Sequence, residues 1–252
     1  PYKNLICNGL ILAEDGKKMS KRLHNYPDPE VIMKESGADA LRLYLINSPA
    51  VHAEPMRFKG EGVKQVVKDV MLPWLNTIKF FIQQVLRHGN TFKRNEKIAL
   101  SSQNILDKWI VSRLHRIIRF VHKEMEAYRL YTVLPELVKF IDEMTNWYVR
   151  LNRDRLKNGD EDGQTGLAVL FEILYNLSIL MAPYAPFFSE FAYQQLKPGL
   201  ESSEIQDSVH YLMVPTANES VIDVNIERTV NYMQSAILVG RVVRDRKHIM
   251  IR

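Results

Sequence analysis

The side chains best suited to chemistry lie in a short basic stretch near the start of the chain. This stretch, the lysine loop, comprises residues 15–22 and reads Asp15-Gly16-Lys17-Lys18-Met19-Ser20-Lys21-Arg22. Lys18 and Lys21 are three residues apart, and the hydroxyl of Ser20 lies between them. A lysine carries a compact charge on a long flexible stem, so this pair could follow the negative charge of a polyphosphate during nucleotidyl transfer. A solvated turn is the alternative that any run of lysines permits.

The lysine loop and several later blocks resemble a known family. Residues 18–22 resemble the Lys-Met-Ser-Lys-Ser signature loop of class I aminoacyl-tRNA synthetases, with arginine in place of the last serine, as in eukaryotic cytosolic forms. Residues 25–29 and 37–45 resemble the subgroup specific for isoleucine, valine, leucine and methionine. Residues 145–153 and 181–187 favour the isoleucyl members of that subgroup.

The resemblance implies roles for the lysine loop. Lys18 and Lys21 are then the catalytic residues, which stabilise charge on the β- and γ-phosphates as isoleucine attacks the α-phosphate of ATP. Because this interaction is stronger in the transition state than in the ground state, it would raise the rate of the chemical step. The nucleotide, accompanied by Mg²⁺, is held by Lys18, Met19, Ser20 and Lys21. Arg22 is assigned no chemical role.

The resemblance also implies a function and partners. The function is that of an isoleucine-tRNA ligase, which forms an aminoacyl-adenylate from ATP and transfers isoleucine to its tRNA. The partners are then ATP, isoleucine and the isoleucine tRNA in the cytoplasm, with a multi-synthetase assembly as a further partner and no membrane. Two alternatives stay open, namely a valyl, leucyl or methionyl enzyme and a non-catalytic helical module that binds tRNA.

Parts of the family pattern are missing from the chain. The second nucleotide signature of the family, His-Ile-Gly-His, does not occur in the 252 residues, and no stretch resembles the editing domain or the first half of the nucleotide-binding fold. The chain begins at Pro1 without methionine and ends at Arg252 within a basic stretch. We therefore expect the carboxy-terminal part of a catalytic domain followed by an anticodon-binding domain, without activity on its own.

Composition is ordinary for a soluble globular protein, with 46% hydrophobic and 25% charged residues. The net charge of +5 and the pI near 9.2 permit a polyanionic partner without requiring one. Cys7 is the only cysteine, which excludes an intrachain disulfide and favours a reducing compartment. No apolar run reaches the ~18 residues that suggest a membrane span.

Hydrophobic periodicity predicts a mainly α fold. A buried strand is expected at residues 5–12, and it leads into the lysine loop. The later three- and four-residue spacing of apolar residues predicts long amphipathic helices, here interpreted as an antiparallel helical bundle. With the resemblance, the fold becomes a short remnant of an α/β (Rossmann-like) class I catalytic domain followed by that bundle. The expected divisions are a catalytic part (1–46), a stem-contact linker (47–62), a helical anticodon-binding domain (63–200) and a mixed segment ending in a basic helix (201–252).

Basic and aromatic residues on two of the expected helices, 105–128 and 132–157, predict the RNA contacts. Arginines on a helix face neutralise phosphates, and aromatic or guanidinium planes stack on unpaired bases. The predicted tRNA-binding residues are Arg113, Arg116, Trp147, Arg150 and Arg153. The alternative is that these arginines pair with Glu136, Asp142 and Glu143 inside the protein. Each aromatic could likewise belong to the core instead.

Three further groups admit plainer interpretations. Asp39 and Arg42 could form an ion pair on a helix surface or brace the lysine loop. The basic cluster at residues 241–246 could contact tRNA or simply end a helix in solvent. The histidines lack metal-ligand spacing, and with one cysteine no metal site is predicted.

Overall fold

The computed structural model describes residues 2–89 and 91–249. Pro1 and Arg252, on which the expectation of a partial chain rests, lie outside the described residues. The structure is mainly α, as predicted. Two hydrophobic clusters divide the interior, a small one around the lysine loop and a large one within the helical region.

Two short parallel strands pair with each other, one before and one after the first two helices of the chain. Strand β1 (Ile11–Leu12) pairs with β2 (Met56–Arg57), with Ile11 opposite Met56. The predicted buried strand at 5–12 is therefore wrong for most of its length, because its apolar residues upstream of β1 are exposed. More than half of the side-chain surface is accessible at Leu5, Ile6 and Leu10.

Local signals set the bounds of the first helices. In α1 (Pro29–Ser36), the Asp28 carboxylate accepts a 2.9 Å hydrogen bond from the N–H of Glu30, which satisfies a first-turn amide. Gly37, at a φ of +84°, ends α1 and begins α2 (Ala38–Ile46), since glycine tolerates this backbone region. These helices and α3 (Gly60–Val66) bury Ile32 and Phe58 in the small cluster.

The helical region follows a π-helical segment at Val67–Met71. Its helices are α4 (Leu72–Arg87), α5 (Glu96–Ser101), α6 (Ile105–Glu126), α7 (Leu130–Asp142), α8 (Arg153–Lys157), α9 (Glu161–Met181), α10 (Pro186–Leu196) and α11 (Val224–Arg246). A second π-helical segment, Glu143–Val149, follows α7 directly. The predicted helix over 132–157 is therefore divided into three pieces.

Helix α9 forms the centre of the large core, and α5, α6, α8 and α10 pack around it. Nearly all its residues from Gly166 to Met181 are buried. Among the described helices, α9 is also the one whose length and apolar composition would allow it to cross a membrane, but 83% of its apolar window is buried inside the protein. It is thus packed as a core helix.

The segments between the helices contain short regular elements. The expected stem-contact linker at 47–62 contains regular elements, namely a 3₁₀ turn at Pro49–His52, β2 and the start of α3. The mixed segment expected at 201–252 contains 3₁₀ turns at Val209–Tyr211 and Glu219–Val221. Ser208 and Asn218 cap these two turns.

A buried carboxylate ties α6, α8 and the second π-helical segment together. Asp107 is fully buried, and its two oxygens accept 2.8 Å hydrogen bonds from the two terminal nitrogens of Arg155. The Tyr148 hydroxyl donates to the same carboxylate at 2.8 Å, and the Ser102 hydroxyl donates at 2.6 Å. Full pairing of this kind is what makes a buried charge tolerable.

Candidate nucleotide loop and RNA-binding surface

The lysine loop begins with a tight turn. The N–H of Gly16 donates a 2.9 Å hydrogen bond to the carbonyl of Ala13, and the N–H of Ala13 donates to Lys17 at the same distance. Gly16 has a φ of +83°, and a Cβ there would lie about 3.1 Å from the guanidinium of Arg57. The positive φ therefore favours glycine at this position, and a Cβ would also crowd the Arg57 side chain.

Asn25 fixes the backbone on both sides of Met19. Its side-chain oxygen accepts a 2.9 Å hydrogen bond from the N–H of Ser20, and its side-chain nitrogen donates to the carbonyl of Lys18 at 3.1 Å. The sequence analysis missed this residue as part of the site. Residues 25–29 contributed only to the family resemblance, because residue spacing does not predict the hydrogen bonds of a side-chain amide.

The loop presents its charges outward and its methionine inward. Met19 is partly buried against the small cluster that holds Ile32, Phe58 and Val63. Lys18 and Lys21 are exposed on either side of it. The anchored methionine fixes the base of the loop, while both ammonium groups stay free to reach an anion.

An open cleft of about 690 Å³ lies beside the lysine loop. Its lining includes Met19, Asn25, Tyr26, Phe58 and Lys59. No cluster of three or more His, Cys, Asp or Glu side chains that could hold a metal occurs in the described part of the chain. Mg²⁺, which would arrive with ATP, stays a prediction.

Helix α2 connects the lysine-loop region to the helical region. Asp39 is buried, and its Oδ2 accepts a 2.7 Å hydrogen bond from the N–H of Phe188 in the first turn of α10. Burial raises the pKa of the Asp39 carboxyl, and the amides of α10 act in the opposite direction. Arg42 donates to the carbonyls of Pro183, at 2.9 Å, and Tyr184, at 3.2 Å. Both side chains thus bind the α9–α10 turn.

Arg113 lies inside the protein. Its side chain is 3% exposed, and its Nε donates a 2.8 Å hydrogen bond to Glu143. Glu136 and Glu227 lie within 4.0 Å of its other nitrogens. A buried and paired guanidinium does not meet a phosphate, so the prediction of Arg113 as an RNA contact is contradicted, and the alternative of acidic pairing describes it.

Arg116 and Arg119 continue the row of arginines that Arg113 begins on α6, here called the arginine stripe, and they face acidic partners as well. Arg116 is 38% exposed and makes a 3.0 Å ion pair with the buried Glu227 of α11. Arg119 makes a 2.6 Å ion pair with Glu219. The stripe therefore holds the segment 219–227 against α6. Arg116 keeps part of its surface for another contact.

Trp147 and Tyr148 lie in the second π-helical segment and face different partners. Tyr148 is fully buried against Asp107, and burial raises its pKa well above its usual range. Trp147 is also largely covered, and the guanidinium of Arg241 lies 5.6 Å from the centre of its ring. Trp147 therefore presents little of its surface to solvent.

Arg150 and Arg153 follow this segment and are exposed. The guanidinium of Arg153 lies 6.0 Å from the ring centre of Phe80 on α4. These two residues, unlike Arg113, have positions from which a phosphate can be reached.

Two contacts define the opposite ends of the helical region. At the end next to the lysine-loop region, here called the joint, the Tyr184 hydroxyl lies 2.9 Å from the sulfur of Met125. This contact brings the ends of α9 and α6 together. At the far end, the Tyr148 hydroxyl bonds to Asp107 near the start of α6 and lies 3.4 Å from the carbonyl of Gly166 near the start of α9. Helix α9 runs between these two ends. It has 21 residues and is therefore about 31 Å long at 1.5 Å per residue. Arg150 and Arg153 belong to the far end.

Two family descriptions match the chain. Residues 107–251 match the family described as anticodon-binding domain of tRNA ligase, which is more than half of the chain. Residues 1–57 match tRNA synthetases class I (I, L, M and V). The chain belongs to the class I tRNA synthetases. The predicted family is thereby confirmed.

Relatives of this class I synthetase chain match along its whole length. It is 54% identical over 262 residues to the cytoplasmic isoleucine–tRNA ligase of Mus musculus, covering 100% of the chain and 21% of that protein. It is 51% identical over 253 residues to the probable cytoplasmic isoleucine–tRNA ligase of Dictyostelium discoideum, covering 98% and 24%. The chain thus spans about a quarter or less of the length of these relatives.

A solved structure has the same fold. The ternary complex of Agrobacterium radiobacter K84 LeuRS with tRNA and LeuAMS matches 86% of this chain and 24% of its own, with a TM-score of 0.60 and 22% sequence identity. At that identity the likeness describes the fold alone. It agrees with the mainly α arrangement described above.

Proposed function

We propose that this chain is the lysine-loop and anticodon-binding part of an isoleucine-tRNA ligase. The observation that carries the proposal is the arrangement of the lysine loop, where an anchored Met19 separates two exposed lysines beside an open cleft. The similarity of the whole chain to isoleucine–tRNA ligases supports the choice of amino acid. The cytoplasmic names of those relatives support a cytoplasmic location.

In this proposal Lys18 and Lys21 act during adenylate formation. The carboxylate oxygen of isoleucine bonds to the α-phosphorus of ATP, and the bond to the bridging oxygen of the leaving pyrophosphate breaks. Negative charge then accumulates on the β- and γ-phosphates, where the two ammonium groups stabilise it. Met19 and Ser20 contact the nucleotide. The two hydrogen bonds of Asn25 already restrict the loop backbone, so less conformational entropy is lost when the loop closes over the nucleotide.

The far end of the helical region would bind the anticodon. Arg150, Arg153 and Arg116 contribute positive charge there and on the adjoining face, whereas Arg113 serves only the interior. We infer that α4, α6, α7 and α9 run alternately up and down. The contacts at the two ends support this, because they give α6 and α9, with α7 between them in the chain, the same direction. The distance of about 31 Å along α9 then separates the anticodon from the joint.

The division into parts is proposed in the same terms. Residues 1–46 belong to the catalytic domain, a Rossmann-like α/β remnant, residues 47–62 connect it to the helical region, residues 63–200 form the anticodon-binding domain, and residues 201–252 complete its surface. ATP with Mg²⁺, isoleucine and the isoleucine tRNA are the proposed ligands. A multi-synthetase assembly is a further proposed partner.

Pre-steady-state adenylate formation tests this function in a synthetase that contains the chain. Lys21→Ala should slow adenylate formation by about 100-fold while the affinity for isoleucine changes little, since a charge aimed at the transition state is lost. Lys17→Ala is the matched control, because Lys17 is exposed in the same loop and pairs with Asp15 at 3.4 Å. Equal rates for the two variants would contradict the assignment.

A further inference from the structure

Trp147 occupies an unusual position among the tryptophans. It lies in the π-helical segment Glu143–Val149, and such segments occur rarely and are frequent at functional sites. Its relative exposure is 8%, whereas Trp74 and Trp109 are 1% and 0% exposed. Of the three tryptophans, Trp147 is the one that part of the surface can reach.

The cover over Trp147 comes from the outer half of α11. Arg241 places its guanidinium 5.6 Å from the indole centre, within the ~6 Å range of a cation–π contact. Helix α11 is anchored near its start, where Glu227 and Val230 are buried against α6. Around Arg241 the helix is open to solvent, because Leu238 and Val242 are each 50% exposed.

The surroundings of this pair suit an unpaired base. The Arg241 guanidinium lies over the indole, and its side turned away from the ring could take a second flat group, since unpaired RNA bases stack on aromatic and arginine planes. Leu238 and Val242, close to Arg241 along α11, add exposed apolar surface. Arg150, three residues after Trp147, is exposed and could pair with an adjoining phosphate.

We propose that Trp147 and Arg241 form a stacking site for one unpaired nucleobase of RNA. The base stacks on the side of the Arg241 guanidinium that is turned away from the indole, and Arg150 binds the phosphate beside it. This inference rests on the proposed tRNA-binding function and adds to it a base contact in which the C-terminal half of α11 takes part. Of the two interpretations that the sequence left open for the basic cluster at 241–246, the proposal takes RNA contact for Arg241.

The test uses the 252-residue chain and two RNA probes, the anticodon stem-loop of an isoleucine tRNA and its duplex stem without the loop. Arg241→Lys keeps the charge but removes the plane, and it should weaken stem-loop binding about tenfold while leaving duplex binding and the salt dependence unchanged. Arg228→Lys is the matched control on the same helix, since Arg228 bonds to Asn225 instead. The control should bind both probes as the parent chain does.

Tryptophan emission gives an independent readout of the same site. The stem-loop should change the emission of the parent chain, and Trp147→Phe should abolish that change, because the other two tryptophans are fully buried. Thermal unfolding followed by circular dichroism shows that each variant is folded.

Two negative results are distinguishable. Salt-dependent RNA binding with equal affinities for the Arg241→Lys and Arg228→Lys variants and no change in emission would overturn the stacking site while the RNA-binding function stands. No salt-dependent binding of either probe by the parent chain would overturn the proposed function, and the stacking site with it.

Discussion

The carboxylate of Asp39 on α2 accepts a hydrogen bond from the N–H of Phe188 in the first turn of α10. The two residues are 149 positions apart, so this bond joins the two hydrophobic clusters. The first amides of a helix have no partner within the helix, and Asp39 supplies one from another element. Asp39 thus caps the N-terminus of α10 from a different helix, which no local sequence pattern predicts.

Replacement of Asp39 tests this bond through its pH dependence. Asp39→Ala should lower the free energy of unfolding by about 1–2 kcal/mol, as loss of a capping oxygen does. Asp39→Asn should cost less, because the amide oxygen can still accept the bond. Chemical denaturation followed by circular dichroism measures both values.

The sign of the pH effect follows from the raised pKa of Asp39. A carboxyl whose pKa is higher in the folded than in the unfolded chain contributes most stability below the unfolded value of 3.8. That contribution is lost as the pH rises through the folded pKa. The stability of the parent chain relative to Asp39→Asn should therefore fall with rising pH across this window. A difference that grows with pH would contradict the described environment.

The buried ion pair of Asp107 and Arg155 should behave differently. Arg155→Met leaves the Asp107 carboxylate buried without its charge partner, and removing one partner of such a pair costs about 3–5 kcal/mol. Adding Asp107→Asn should restore part of this loss, because the uncompensated charge disappears. A double-mutant cycle of unfolding free energies measures the coupling.

Arg153→Met serves as the control for that cycle, two positions away on the same short helix. Its side chain is exposed, so the substitution should change the free energy of unfolding by no more than about 0.5 kcal/mol. Similar losses for Arg155→Met and Arg153→Met would show that the Asp107 network does not stabilise the far end.

Salt dependence should separate the surface arginines from the buried one. Arg150→Ala and Arg153→Ala should each reduce the slope of log affinity against log salt by about 1, as loss of a phosphate contact does. Arg113→Met, combined with Glu143→Leu so that no buried charge is left unpaired, should leave that slope unchanged. A reduced slope in this folded double variant would place Arg113 back in the interface.

Asn25 should control the order of the lysine loop without affecting the rest of the fold. Asn25→Ala removes the acceptor for the Ser20 amide and the donor to Lys18, so the Ser20 amide should exchange hydrogen faster. Asn25→Asp keeps the acceptor and should give intermediate protection. Hydrogen exchange measured by mass spectrometry checks this in the isolated chain. Unchanged exchange in both variants would show that the loop is held by other contacts.

Local signals allowed part of this structure to be predicted. The apolar period that predicted a helix over 105–128 depends on neighbouring residues, and α6 lies where it was expected. The N-cap at Asp28 and the glycine at 37 are local signals of the same kind. The family resemblance likewise rested on contiguous blocks around the lysine loop and within the helical region.

Tertiary relationships escaped the same reasoning. Periodicity placed Arg113 and Arg116 on one helix face, but it could not show that α11 and Glu143 cover that face. The apolar run at 5–12 predicted burial, although burial depends on which other element packs there. The bonds of Asn25 and Asp39 depend on side-chain placement that spacing alone does not fix.

Competition binding of tRNAs to the 252-residue chain tests the central claim most directly. In a filter-binding assay at several salt concentrations, the isoleucine tRNA should compete better than valine, leucine and methionine tRNAs, and the affinity should fall with salt. Binding with no salt slope and no preference for the isoleucine tRNA would contradict the account.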